Sequence, residues 1–391
     1  MNEPPRTLKE MLAEAKDTSE LMLDLAHAGL FYRDRDLSGE VLELEDDLSR
    51  LVHRMREVCL IASRSPDDAA GLASLLQVMS AIEVIGNQAV DIAKIVLDSI
   101  GIPRELTADL GKADEVADRI KLHEHSRLQG RSVDEMEDAV EEIRLIALRR
   151  GPRWLFDPAD EGVLQTDDVL VVRGPPEALP ELRKLAGMAA KAEEPTEDLR
   201  FWELDKAVDS IVEMKDLAET AVGLAYAAVL LDDRAVAAEV VRMEDRLDDM
   251  RETIESWVLD AATDSRNRPA LRGLLHLAVA SETIGDAAQA MVWLVERDEQ
   301  LHPVIAEALG AAEDVVLQTT VQAGSPADGK LLNELDLKGM SPLARSRKGR
   351  WQYRPRGRTK LVEGDRILLI GRSDSAEHLH RLFGEDDEDE R

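Results

Sequence analysis

The sequence predicts a mixed α and α+β fold: two three-helix antiparallel bundles alternating with two small α+β lobes. Three observations predict it. First, the chain repeats itself. Glu14, Lys16, Asp17 and Glu20 recur as Glu213, Lys215, Asp216 and Glu219 at a constant offset of 199, and Glu83, Ile85 and Gly86 recur as Glu282, Ile284 and Gly285. Second, the opening part of each unit carries apolar residues at helical spacing. Third, the closing part carries short alternating or apolar runs bounded by Gly, Pro and Asp, which read as strands. A unit of nearly 200 residues exceeds any solenoid period. It reads as a duplicated two-domain module, with domains at 1–101, 102–189, 190–301 and 302–391.

In the first bundle, Leu8, Met11, Leu12, Leu21, Leu25 and Leu30 mark one helix within residues 7–33. Asp36 and Ser38 are candidates to cap a second, carrying Val41, Leu44, Leu48, Leu51, Met55 and Val58. Pro66 opens a third, which Gly101 and Pro103 end near Ile100. The second copy repeats the plan at 200–230, 234–262 and 268–297. A glycine inside a long helix costs about 1 kcal/mol relative to alanine. Gly86 and Gly285 therefore suit a close approach between helices.

The lobes follow. Around Ile120, from Ile143 and over Val169–Val172 the pattern is that of strands, and a helix from about Pro176 to Leu185 closes the first lobe. Residues 186–199, Ala-rich and carrying Glu193-Glu-Pro-Thr, form the central linker.

Composition bounds the chemistry. Of 391 residues, 44% are hydrophobic and 3% aromatic, so the cores are aliphatic. The single cysteine, Cys59, can form no intramolecular disulfide, which fits a reducing cytoplasm. No stretch reaches the roughly 18–20 apolar residues that span a bilayer. The N-terminus lacks the pattern of a signal peptide. The expectation is a cytoplasmic protein that meets a membrane only as a peripheral subunit at its inner face. The net charge of −31 argues against nucleic-acid binding. Thirteen lysines against 36 arginines, in an acidic and aromatic-poor chain, resemble proteins of salt-loving cytoplasms. An ordinary acidic protein from a GC-rich genome has the same look. The Glu385–Glu390 acidic run reads as a solvated tail.

Two acidic groups recur in the bundles: Glu45-Asp46 with Glu244-Asp245 in helix two, and Glu83 with Glu282 in helix three. The helix-three strings are Glu83-Val-Ile-Gly-Asn87 and Glu282-Thr-Ile-Gly-Asp286. At these residues the chain resembles the PhoU-like family, whose bundles carry a Glu-Arg-Ile-Gly-Asp type of motif. Both copies lack the Arg, and the first lacks the Asp. The resemblance implies divalent metal binding by Glu244, Asp245, Glu282 and Asp286, as all-carboxylate sites favour hard ions. The alternative is that these acids cap helices, pair with arginine or face solvent.

The lobes carry Ser126…Gly130…Glu135…Asp168…Gly174, and again Ser325…Gly329…Glu334…Asp365…Gly371. This pattern resembles the TrkA-C family, the C-terminal lobe of the RCK modules that regulate potassium conductance. The resemblance implies a strand, a helix, three strands and a helix. It also implies pairing of lobes and a homodimer, a membrane potassium channel or cation transporter as partner, and a small anionic ligand such as a cyclic dinucleotide at lobe interfaces. No Gly-x-Gly-x-x-Gly string is present, so the nucleotide-binding half of an RCK module is missing.

Candidate ligand-binding residues are Arg144, Arg149 and Arg150 in the first lobe. In the second, a basic run from Arg345 to Lys360 includes Arg354, Arg356 and Arg358. Surface arginines paired with neighbouring acids, or the basic run neutralising the bundle beside it, are the plainer readings. His123-Glu-His125 and His378-Leu-His380 supply no third ligand. No catalytic constellation is evident, and the expectation is a regulator rather than an enzyme. Its role is control of potassium or another monovalent cation. The alternatives are a PhoU-type phosphate-signalling adaptor and an ion buffer.

Overall fold

A computed structural model describes residues 6–102, 116–137, 139–140, 143–151, 153–155, 163–174, 178–188, 202–262, 268–297, 302–309, 314–338, 340–348, 350–353, 355, 357–372 and 376–384. The first bundle is α1 (Leu8–Tyr32), α2 (Arg35–Ala62) and α3 (Pro66–Leu97). Thr7 caps α1 in a capping box with Glu10. Arg33, at φ 51°, ends it in the left-handed region. The cap of α2 is Asp34, whose carboxylate accepts from the amides of Asp36 and Leu37. The helix therefore starts earlier than capping by Asp36 or Ser38 would place it. Its inward stripe is Leu37, Val41, Leu48, Val52, Met55 and Cys59. Helix α3 stops at Leu97, before Gly101, because Ser99 turns left-handed at φ 53° and the Ile100 amide reaches back to the Ile95 carbonyl.

The first lobe is β1 (Val116–Lys121), α4 (Val133–Glu137), β2 (Arg144–Arg150), β3 (Arg153–Leu155), β4 (Val169–Gly174) and α5 (Leu179–Leu185). Its antiparallel sheet has the order β1-β4-β2-β3. Strand β1 ends at Lys121, so His123 and His125 lie in the turn beyond it and share no strand face. The second bundle is α6 (Trp202–Leu231), α7 (Arg234–Ala261) and α8 (Arg268–Glu296). After it come α9 (Pro303–Leu309), β5 (Asp314–Thr320), β6 (Ser341–Arg347), β7 (Arg350–Tyr353), β8 (Arg366–Arg372) and α10 (Ala376–Phe383). The second sheet has the order β5-β8-β6-β7 and repeats the first lobe's bulge, at Pro342/Ala344 where the first has Leu145/Ala147. The tight turn before the last strand needs positive φ in both copies, from Asp167 at 70° and Gly364 at 82°.

The glycine in helix three has the role its position predicts. A Cβ on Gly86 would come within 2.6 Å of Leu48, and one on Gly285 within 2.5 Å of Leu247. Leu48 and Leu247 are themselves equivalent residues of helix two.

The bundles pack through α3 and α8, which run antiparallel. Gly71 and Ser74 near the start of α3 meet His302 after α8, while Gly273 near the start of α8 abuts Gly101 after α3. Each lobe turns one sheet face to its own core, formed by Ile120, Leu145, Leu148, Leu170 and Val172 in the first. The opposite face joins the bundle core through Ile146, Ala147 and Val171, and in the second lobe through Val316, Leu343, Ala344 and Leu368.

Candidate functional site

At the end of each lobe's last loop a buried aspartate holds an arginine from the sheet. Asp168, 1% exposed, takes Arg150 in a two-pronged pair at 2.9 and 2.8 Å and accepts the Gln165 amide at 2.8 Å. Asp365, 0% exposed, takes Arg347 at 2.6 Å on both oxygens and accepts the Val362 amide at 3.0 Å. The geometry is the bidentate fork that arginine favours. The Asp of the recurring Asp-x-apolar run is therefore a structural anchor, and Arg150 is engaged by it. Arg149 lies 5.5 Å from the Trp154 ring and 3.4 Å from Asp36 of the first bundle. Arg144 is half-buried on β2, opposite Arg173 of β4.

In the second lobe, the structure spreads the basic run over two strands and the turn after them. Arg345 lies beside Asp365 at 3.8 Å and donates to the Lys360 carbonyl at 3.3 Å, as Arg347 does at 2.7 Å. Lys348, Arg358 and Lys360 are exposed and make no ion pair among the described residues. Arg354 and Arg356 lie outside the described residues.

The sequence did not disclose how the lobes dock. Asp118 of β1, 1% exposed, accepts from Tyr32 of the first bundle at 2.5 Å and from Arg183 of α5 at 2.6 Å. Burial and the Asp118 charge push the Tyr32 hydroxyl's pKa up. Arg119 pairs with the cap residue Asp34. Its counterpart Asp233 pairs with Arg366 at 2.9 Å, so both helix-two caps use one oxygen on the helix and the other on a lobe arginine. Arg173 of β4 reaches Asp24 at 2.8 Å and Glu219 of the second bundle at 3.6 Å.

Glu219 belongs to a buried polar seam between α1 and α6. Lys215 meets it at 3.0 Å, and the Nδ1 of His27 lies 2.9 Å away. Burial alone would raise its pKa, but Lys215, His27 and Arg173 outweigh burial and hold the carboxylate well below the usual range. The equivalent set on the other side is Lys16, with Glu20 at 2.8 Å and the Tyr226 ring at 5.2 Å. The recurrence of Lys16/Lys215 and Glu20/Glu219 was visible in the repeat. That each pair faces the other copy, through His27 on Glu219 and through Tyr226 beneath Lys16, was not.

The acidic cluster of the second bundle is assembled in part. Glu244 of α7 and Asp286 of α8 meet, and Gln289 donates to Glu244 at 2.5 Å. Burial, the hydrogen bond with Asp286 and the charges of Asp286, Asp245 and Asp248 push Glu244 up to about 7. Glu282 is raised by burial and by Asp286, and has Arg251 at 3.5 Å. Asp245 is exposed. In the first bundle, Arg56 grips Glu83 at 3.3 and 2.6 Å, and Asn87 stands where Asp286 does. Among the described residues no group of three or more His, Cys, Asp or Glu side chains is placed to hold a metal ion. An open cleft of about 470 Å³ adjoins this region, lined by Gln77, Val241, Gln289, Ala290, Trp293 and Glu296.

Helical bundles alternating with four-stranded α+β lobes define a duplicated two-domain class. The PhoU domain matches residues 12–96 and 211–294, and the TrkA-C domain matches 119–187 and 316–384. The chain thus carries two PhoU domains and two TrkA-C domains in alternation. Among solved structures, PhoU from Pseudomonas aeruginosa is similar at 14% identity, with 74% of this chain and 93% of that chain covered and a TM-score of 0.40. The GsuK RCK domain is similar at 14% identity over 72% of this chain and 69% of that one, with a TM-score of 0.18. The GsuK channel bound to NAD matches at 14% identity over 79% and 65%, with a TM-score of 0.19. No curated protein sequence matches the chain. Among the described residues no helix is long and apolar enough to cross a membrane.

Proposed function

We propose that the chain is a regulatory subunit of a transporter or channel for potassium or another monovalent cation, and that it acts without catalysis. The presence of two TrkA-C domains carries the reading, because that family regulates potassium conductance and has no evident task in a phosphate adaptor or an ion buffer. The sheet-on-bundle packing supplies a route. A change of state in a lobe alters a sheet whose back face is part of the bundle core, and the bundle passes the change to a membrane partner. The size of any such shift is limited by the ligand's differential affinity for the two arrangements. A homodimer in the cytoplasm, resting against the inner face of the membrane through its partner, is the assembly this reading favours.

Capture of the tagged chain from native membranes tests the proposal. Recovery of a potassium channel or cation transporter is the expected result. Recovery of a phosphate transporter or its kinase instead would replace the reading with the PhoU-type adaptor.

A further inference from the structure

The two lobes differ at one place in a way that their common fold does not require. In the first lobe the Arg150–Asp168 pair is balanced, one charge against one. Leu148, 1% exposed, fills the core beside it, and Val163 contributes the carbonyl that Arg150 holds at 3.1 Å. In the second lobe the residue at the place of Leu148 is Arg345, and the one at the place of Val163 is Lys360. Two cationic residues have been added: Arg345, 3.8 Å from the single buried carboxylate of Asp365, and Lys360, whose backbone carbonyl Arg345 and Arg347 both hold.

Arg345 is poorly served by its surroundings. Its side chain is 15% exposed, and its Nε is buried without a hydrogen-bond partner. Burial and then the neighbouring Arg347 lower its pKa, and Asp365, already forked by Arg347, offsets this only in part. A guanidinium in that position costs stability compared with the leucine of the other lobe. Two other carboxylates of the lobe are engaged by backbone amides. Glu334 accepts the Leu331 amide at 2.9 Å, and Asp328 accepts the amides of Gly324 and Glu363 at 3.2 and 3.0 Å. Lys360 and Arg358, both exposed, lie close by in sequence on the turn whose carbonyl Arg345 and Arg347 hold. The local excess of positive charge sits in a chain of net charge −31.

We propose that the second lobe, and not the first, binds a phosphoryl-type dianion through Arg345 and Lys360, with Arg358 at the rim. A dianion supplies the missing counter-charge and accepts from a guanidinium edge and an ammonium together. The proposal rests on the reading of the lobes as ligand-responsive, and narrows it to one lobe and one ligand chemistry. Because the test reads anion binding directly, its failure leaves the transport reading standing.

The test uses the full chain and variants that borrow the first lobe's residues. Calorimetry and thermal melting with inorganic phosphate and pyrophosphate are compared with chloride at matched ionic strength. The wild type is expected to bind and to melt higher with the phosphoryl anions. Arg345→Leu combined with Lys360→Val is expected to lower affinity by about tenfold or more. Without anion that variant should melt no lower than wild type, which separates lost binding from lost folding. The reciprocal Leu148→Arg and Val163→Lys pair should add anion binding to the first lobe. Sedimentation with phosphatidylcholine vesicles, with and without phosphatidate, distinguishes the source. Phosphatidate-dependent sedimentation competed by free phosphate assigns the anion to a lipid headgroup, and binding without sedimentation assigns it to a soluble ligand. A wild type that binds none of these probes, or a double variant that binds them as well, overturns the proposal.

Discussion

The first lobe is held to its bundle by charge and the second more by apolar surface. Asp118–Tyr32, Arg119–Asp34, Arg149–Asp36 and Arg173 with Asp24 and Glu219 fasten the first. The second has Arg366–Asp233 and Tyr353–Glu239, with Leu343 pressed over Gly223, where an added Cβ would lie 3.2 Å from the leucine. The position of Asp118 is taken by Leu317, and that of Arg173 by Ile370. Duplication has kept the sheet order, the bulge and the buried Arg–Asp anchor, and has let the contacts between domains diverge. What a single core needs has been retained in both copies. What joins one domain to the next has been rebuilt separately.

The anchors give the largest effect by which to break this comparison. Replacing Asp168 by Ala leaves Arg150 and the Gln165 amide without their acceptor, and the lobe should lose about 3–5 kcal/mol in urea unfolding. Asp365→Ala should cost at least as much, because it strands Arg347 and Arg345 together. A cost below about 1 kcal/mol in both lobes would show that the pair is dispensable.

Docking comes next. Arg173→Gln removes a link from the first lobe to both bundles and should cost about 1–3 kcal/mol. Protease nicking should then appear first near the first lobe. Raising salt should loosen the wild-type first lobe more than the second, since its partly exposed Arg149–Asp36 and Arg173–Asp24 pairs are screened and apolar contact is not. Equal salt responses of the two lobes would remove the distinction.

Much of the architecture was legible in the sequence because it depends on local patterns. The helical stripes, the Pro and Gly punctuation and the strands before Gly174 and Gly371 are properties of short windows, and the repeat let each copy confirm the other. The helix-three glycine was legible for the same reason. The site was less so. Arg150 and Arg347 looked like ligand arginines because sequence shows their charge but not the buried aspartate 18 residues onward in each lobe. The contacts that join the two copies in the seam, His27 with Glu219 and Lys16 with Tyr226, link residues far apart in the chain, and no spacing rule reaches that far.

Two carboxylates sharpen the comparison through pH, with opposite signs. Glu244, raised to about 7, binds a proton in the folded chain at a pH where the unfolded chain has released it. Stability should fall as pH rises from about 4.5 to 7, and Glu244→Gln should flatten that slope. Glu219 is held low, so its contribution is present above about 4.5 and is lost as pH falls further. Thermal melts across pH 3–8 check both. An unchanged slope in Glu244→Gln would assign it elsewhere.

The smallest expected effect is metal binding. If the acidic groups take Mn or Mg at all, the second bundle, with Glu244, Glu282 and Asp286, should take it more readily than the first, where Asn87 replaces the last carboxylate. In calorimetry on the full chain, Asp286→Asn should reduce any heat of binding and Asn87→Asp should not. The reverse order would place the ion on the first bundle.

The central claim is that the chain governs cation flux, and flux is the most direct reading of it. Uptake of radioactive rubidium and of radioactive phosphate is measured in cells with and without the gene, and again with the gene restored. The account predicts that rubidium uptake changes on deletion and returns on restoration, while phosphate uptake stays the same. Altered phosphate uptake with unaltered rubidium uptake would contradict it.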